Sequence, residues 1–258
     1  MPGGVTWRSK LFGVLLCLSL LLGGCWSSRE IDALAFIMAV GLDLDDNGDL
    51  IVSFRIADPS ALAGGGSTGE QGGSGARTQT TFPVTVKART PAEAMERLRL
   101  QLPRIPFMSH AQGIIVGESL ARSGVSGILD FFERDEELRR SVQLFVTKDI
   151  QAAQIFTDVR QRLLTPSGMG FSELITHVAA SEATPVARFG DFLEFMGNPR
   201  REAYAPALSL NPSDVTRDAP KDQVALVGTG IFRDDRLVGY LSHRESAVMQ
   251  LLLSGIRA

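Results

Sequence analysis

The spacing of apolar positions divides the chain into clear segments. A leucine-rich run, Leu11 to Leu22, follows Arg8 and Lys10 near the start. Ala33 to Asp45 is rich in Ala, Ile, Val and Leu, and Leu50, Val52, Phe54 and Ile56 then recur at every second position. Period two is the spacing of a strand with one face buried, so these two segments predict paired strands. Asp46-Asn47-Gly48 between them reads as the hairpin turn, because Asn and Gly tolerate positive φ. Residues 63–79, "AGGGSTGEQGGSGARTQ", carry too little apolar surface to offset their ordering entropy and predict a mobile loop. Strand-like residues resume from Thr81 to Ala88, which makes that loop a connection within one sheet.

Thr90-Pro91-Ala92-Glu93 predicts a helix start: Thr90 can accept from an exposed amide, Pro91 presets φ, and Glu93 can bond back to the Thr90 amide. That helix runs to about Leu102, with Ala92, Met95, Leu98 and Leu102 facing a core, and Pro103 and Pro106 end it. A short buried strand is expected at Gly113–Val116, an apolar helix at Val125–Phe132 and another strand at Val142–Val146. Helical spacing then covers Ala152–Leu164, Phe171–Ser181 and Val186–Met196. Pro199 to Lys221 is rich in Pro and Asp and reads as linker, with residues 211–223 as its centre. From Val224 the pattern restarts as strand, Asp234-Asp235 turn, strand, and a helix capped by Ser242 and Glu245 at capping-box spacing. The fold class is therefore α+β: a mixed sheet with packed helices in a domain over residues 25–210, followed at 224–258 by the start of a second, incomplete α+β domain. A hairpin plus one helix exposes an apolar face that it cannot cover alone.

Composition narrows the function classes. With 258 residues and 44% apolar content the chain can bury a sizeable core. Its formal charge is −3, with Lys and Arg scattered among the acids, so nucleic acid is not an expected partner. The two cysteines, Cys17 and Cys25, leave no residue beyond position 25 for a disulfide or a Cys-ligated zinc. The first 24 residues fit an export signal, and their apolar run is too short to span a bilayer, which takes roughly 20 residues. Leu22-Gly23-Gly24-Cys25 resembles the lipobox of bacterial lipoproteins. That resemblance implies a signal peptide over residues 1–24 and a mature start at Cys25, carrying S-diacylglycerol and an N-acyl chain. Several acyl chains, at about 0.8 kcal/mol per buried methylene, anchor stably where one myristoyl chain is marginal. An ordinary secretory signal with a chance Cys is the other reading. Loss of Arg8 and Lys10 leaves the exported body more acidic, so the lipid and not a basic patch must hold it at anionic headgroups.

Candidate chemistry is sparse. "DLDDNGD" places Asp43, Asp45, Asn47 and Gly48 in register with a calcium loop, but the twelfth position, which should be a bidentate Glu, is Phe54. A turn is the favoured reading. His110, His177 and His243 fall in separate elements and form no metal-binding pair. Gly228-Thr229-Gly230 lacks the third glycine and helix of a dinucleotide loop, and Ser167 lacks the glycine of a nucleophile elbow. Asp130, Glu133, Asp135, Glu136 and Glu137 interleave with Arg134, Arg139 and Arg140, the pattern of a solvated helix face laced with charge pairs. No catalytic group and no cofactor is expected.

Three longer stretches carry a family resemblance: "GCWSSREIDALAFIMAVGLDLD", "SHAQGIIVGESLARSGVSGILDFFERDEELRRSVQLFVTKD" over Ser109–Asp149, and "LVGTGIFRDDRLVGYLSHRESAVMQLL". Together, in order and spacing, they resemble the Ger(x)C spore germination proteins. The resemblance implies a C subunit of a nutrient germinant receptor: a lipoprotein without known enzymatic activity, on the outer face of the spore inner membrane, assembled with multi-pass A and B subunits. It implies that members continue well past the helix at the end of this chain. It carries over Cys25 as the lipidated position, and Arg134, Asp135, Arg139 and Arg140 as family-like positions for structural or partner contacts. The alternative is a solute-binding lipoprotein of a transporter, a class with two similar α/β lobes around a cleft. A cell-envelope hydrolase would need a nucleophile or an acid pair that the sequence does not place.

Overall fold

The structure is a computed structural model that describes residues 33–57, 81–156, 184–210 and 224–255, with isolated positions 7, 11, 12 and 175. The chain divides into two compact units, Met1–Leu34 and Ala35–Ala258, and the architecture below is that of the second. Among the described residues, nine strands form one mixed sheet. They are β1 (Leu34–Leu44), β2 (Leu50–Ala57), β3 (Thr81–Ala88), β4 (Ile105–Phe107), β5 (Gly113–Val116), β6 (Gln143–Thr147), β7 (Tyr204–Ser209), β8 (Ala225–Arg233) and β9 (Arg236–Leu241). Their order is β3-β2-β1-β5-β6-β7-β8-β9, with β4 paired to β1. β1, β5, β6 and β7 run parallel in the centre, and the antiparallel pairs β2-β3 and β8-β9 flank them. The described helices are α1 (Pro91–Gln101), α2 (Glu118–Ser123), α3 (Ser126–Glu133), α4 (Phe189–Met196) and α5 (His243–Gly255). This is the α+β class expected from the sequence.

Local chemistry explains why these elements form. In the β1-β2 turn the Asp45 carboxylate accepts the Asn47 and Asp49 amides at 2.9 and 2.8 Å, and Gly48 adopts φ +81°. Thr90 caps α1 by accepting from the Glu93 amide at 3.2 Å. The Glu93 carboxylate reaches back to the Arg89 amide, one residue before the expected Thr90. The buried stripe of α1 is Pro91, Ala94, Met95 and Leu98, so Ala92, expected inside, faces out and Ala94 takes its place.

Both faces of the parallel strands are buried. On β5 and β6, Ile114, Val116, Leu144 and Val146 join a larger core with Leu98, Leu129, Phe132, Phe189 and Phe192. Ile115 and Phe145 point the other way, into a core with Ile155, Phe156 and Leu208. Burial on two sides is why these strands read as continuous apolar runs.

The stretch from Pro199, read as linker, contains a central strand. Tyr204–Ser209 is β7, with Ala205, Ala207 and Leu208 fully buried. Pro206 disguises it, since proline donates no amide to a ladder. The pairing with β6 begins at Ala207, just past the proline. Residues 224–258, read as the opening of a further domain, supply β8, β9 and α5. β8 pairs with β7 from Tyr204↔Ile231 to Ser209↔Ala225, so these strands extend the one sheet. The expected helix from Val186 begins at Phe189, because Arg188 bridges instead to Gln143. The helix from Ala152 is described to Phe156. Its remainder, the segment Phe171–Ser181 apart from Ile175, the loop 63–79 and the linker 211–223 lie outside the described residues.

Candidate interaction site

Cys25 and the lipobox before it lie outside the described residues. The first polar cluster within them sits where the parallel strands end. Asp43, closing β1, is 2% exposed, and its carboxylate accepts the Ala152 and Ala153 amides at 2.8 and 3.0 Å. Burial pushes this carboxyl above the usual range, and the two amides only partly oppose it. Gly117 is required beside it, since a Cβ there would lie 2.0 Å from Asp43 Oδ1. The Glu118 amide donates to Thr147 Oγ1 at 3.1 Å, and its carboxylate accepts from the Asp149 amide at 2.9 Å and pairs with Arg122 at 2.7 Å. Burial disfavours the Glu118 charge, but these partners outweigh it and hold the carboxyl below its ordinary value. The Tyr240 hydroxyl donates to the Thr147 carbonyl at 2.6 Å, and Arg122 and Lys148 lie 5.9 and 5.8 Å from its ring. "GESLA" and "LFVTKD", far apart in sequence, thus bond to one another and to β9.

Arg134, Asp135, Arg139 and Arg140 follow α3. The expected helix face holds only Asp130 and Glu133, for α3 ends at Glu133 and turns lead on to β6. Arg134 pairs with Asp130 at 3.0 Å, four residues back, with 78% of its side chain exposed. Asp135 accepts the Glu137 amide at 2.8 Å, and Glu137 accepts the Met108 amide at 3.1 Å. Arg140 pairs with Glu133 at 2.7 Å and donates to the Gly190 carbonyl at 3.4 Å, tying this turn to α4. Arg139 is exposed.

The third feature is α5. Ser242 and Glu245 form the expected capping box, the Ser242 amide donating to the Glu245 carboxylate at 2.8 Å. Gly228 has φ +147°, and a Cβ there would lie 2.0 Å from the Leu241 carbonyl oxygen, so β8 touches the end of β9, where the chain turns into α5, through backbone. Thr229, buried on β8, donates to Ser246 Oγ at 2.9 Å, and Ser246 alone in α5 is fully buried. A groove of about 670 Å³ separates Met249 and Leu253 from Gln143, Tyr204 and Phe195. On the outer side Val248, Leu251 and Leu252 are 56%, 71% and 65% exposed at i, i+3, i+4 spacing. Apolar side chains thus lie on two sides of α5, one lining the groove and one facing out.

Residues 27–210 match the family described as the spore germination protein N-terminal domain. The chain belongs to the Ger(x)C family of spore germination proteins. Putative spore germination protein YfkR of Bacillus subtilis is 29% identical over 247 residues, covering 95% of this chain and 60% of YfkR. Spore germination protein B3 of the same organism is 27% identical, covering 95% of this chain and 62% of its own length. Spore germination protein KC, also of Bacillus subtilis, is 29% identical over 62% of this chain and 37% of its own length. The chain thus spans less than two thirds of each of these relatives. No solved structure matches it.

In this Ger(x)C chain the acids of the "DLDDNGD" turn do not all face one point. Asp43 turns inward to Ala152, away from the others, while Asp45 and Asp49 both pair with the Lys87 ammonium, at 2.5 and 2.9 Å, which fills the place a cation would take. Among the described residues no group of three or more His, Cys, Asp or Glu side chains is placed to hold a metal ion. His110 stacks edge-on against Phe36 at 4.9 Å, and His243 opens α5; His177 and Ser167 lie outside the described residues. The Thr229–Ser246 contact that seats α5 was not legible in sequence, because two small hydroxyl residues 17 apart both read as surface.

Proposed function

We propose that this chain is the lipid-anchored C subunit of a spore nutrient germinant receptor, acting through contacts with multi-pass A and B subunits. The family match over residues 27–210 carries the reading. In it, Cys25 bears the acyl chains that hold the body at the outer face of the spore inner membrane. In this reading the anchor is the acylated cysteine, since several acyl chains on one residue hold stably where a single one is marginal. The body works as a contact protein: among the described residues its polar clusters bond within the fold, and its exposed features include an apolar helix face and several arginines. Among the described residues the strands form one nine-stranded sheet, which favours this over a transporter's two-lobed solute-binding protein.

The test is fractionation of sporulating cells expressing the wild-type chain and Cys25→Ala. The wild-type protein should sediment with membranes, yield a diacylglycerol-modified peptide beginning at Cys25, and co-purify with a multi-pass germination subunit. Cys25→Ala should move to the soluble fraction and slow nutrient-triggered germination. Unchanged membrane partition of the variant, or a mature start elsewhere, defeats the anchor. Tight binding of an amino acid or sugar by the isolated protein in calorimetry would favour the transporter reading instead.

A further inference from the structure

We propose that the outer stripe of α5, Val248, Leu251 and Leu252, is the seat for the region that lies beyond α5 in the longer members of this family. The inference rests on the family match and not on the receptor reading. The stripe is contiguous, aliphatic and more than half exposed at every position, on a helix whose opposite side already holds Ser246 against β8. Such a face is costly in water unless something covers it.

The length of the relatives names the occupant. YfkR and B3 align with 95% of this chain, yet the match takes up only 60% and 62% of their own lengths. The matched family unit is an N-terminal domain, so the rest of each relative lies beyond it. α5 is the last described element, and β9 runs into it through Ser242 alone. A following region therefore emerges within a turn or two of the stripe and meets it at the high effective concentration of a short tether. The complementary surface is apolar, with Arg244 and Glu245, both exposed, at the N-terminal end of the helix to set its direction.

Cysteine labelling tests this. Leu251→Cys, and as reference Leu100→Cys at an 82% exposed position on α1, are made in a Cys17→Ala/Cys25→Ala background. Maleimide reaction rates are measured in this chain, in this chain extended by the unmatched C-terminal region of YfkR, and at the aligned position of full-length YfkR. The two sites should react at similar rates in the unextended chain. Labelling at the stripe should fall roughly tenfold or more in the extended chain and in YfkR, with the reference unchanged. Fast labelling in YfkR overturns the proposal, and because YfkR is a natural protein that outcome does not depend on a chimera folding. Slow labelling in YfkR but fast labelling in the extended chain rejects it for this chain. Slow labelling of the unextended chain that depends on its concentration assigns the face to a second copy. Slowing of the unextended chain by phosphatidylglycerol vesicles alone assigns it to a bilayer. Either result overturns the proposal.

Discussion

Asp43→Ala is the substitution with the most calculable consequence. The carboxylate accepts the amide of buried Ala152 at 2.8 Å and that of half-buried Ala153 at 3.0 Å. Each orphaned donor costs about 1–3 kcal/mol, so the pair costs about 2–6 kcal/mol. Removing a carboxyl that burial has pushed above its usual pKa relieves part of this, leaving an expected loss of about 2–4 kcal/mol. At roughly 2–4 °C per kcal/mol for a chain of this size, the melting temperature should fall by roughly 4–16 °C. Thermal unfolding followed by circular dichroism at pH 7 measures it, with Asp46→Ala in the exposed turn as control, expected within about 0.5 kcal/mol of wild type. Gly117→Ala should match Asp43→Ala, since its Cβ would displace the same carboxylate. The pH dependence has a definite sign. The folded carboxyl holds its proton more tightly than the unfolded one, whose ordinary value is 3.8, so as pH rises past that value the folded state retains more protons than the unfolded state. The stability contributed by this group falls as pH climbs through the raised pKa, and Asp43→Asn should lack that slope. Equal melting of Asp43→Ala and Asp46→Ala would refute the reasoning.

Three further outcomes follow from single contacts. Gly228→Ala should abolish or sharply lower soluble yield, because a side chain at φ +147° would sit 2.0 Å from the Leu241 carbonyl; a wild-type melt would contradict that geometry. Thr229→Val should cost about 0.5–1.5 kcal/mol and speed amide exchange in α5, and unchanged exchange would mean that the Ser246 bond does not seat the helix. Asp45 is held at about 2 first by its hydrogen bond to Lys87, so its contribution is present above 3.8 and lost as pH falls toward 2. Acid titration of stability should be flatter over that window in Asp45→Asn, and parallel wild-type and variant curves would remove the Lys87 pairing from the account.

What could be read from the sequence was what neighbouring residues decide. The Asn47-Gly48 turn, the Thr90 cap and the Ser242–Glu245 box each involve groups within four residues, and each forms as expected. The structure differs where distant residues decide. β7 contains a proline and follows a polar stretch, and it becomes a strand because β6 and β8 pair with it. The acids after α3 read as a solvated helix face, yet Asp135 and Glu137 serve turn amides, including that of Met108 from a loop 29 residues away. The motif blocks were legible as a resemblance, but their meeting at the carboxyl edge depends on the sheet order. Alanine substitutions at Gly117, Glu118 or Thr147 should therefore read out folding, while Arg134 and Arg139, exposed beyond the turn, are better probes of a partner.

The matched family unit stops at residue 210, but the physics of the sheet does not. Without β8, strand β7 would present an open edge in the middle of a twisted apolar sheet, the arrangement that invites aggregation. β8 and β9 also deliver Val227, Phe232 and Leu237 to the main core, each at most 8% exposed, and Phe232 meets Phe192 of α4 edge-on at 4.9 Å. At about 1.5–3 kcal/mol for each buried side chain, the three contribute about 5–9 kcal/mol. That is comparable to the whole stability of an ordinary domain, about 5–15 kcal/mol. Tyr240 adds its bond to Thr147 at the carboxyl edge. A version ending at Leu210 should be insoluble or melt without cooperativity, while one ending at Leu241 should keep the sheet and expose only the strand face that α5 covers. Soluble yield and calorimetric cooperativity of the two versions decide it. A cooperative melt from the shorter one, within a few degrees of the full chain, would mean that β8 and β9 are appended to the sheet and not part of what holds it together.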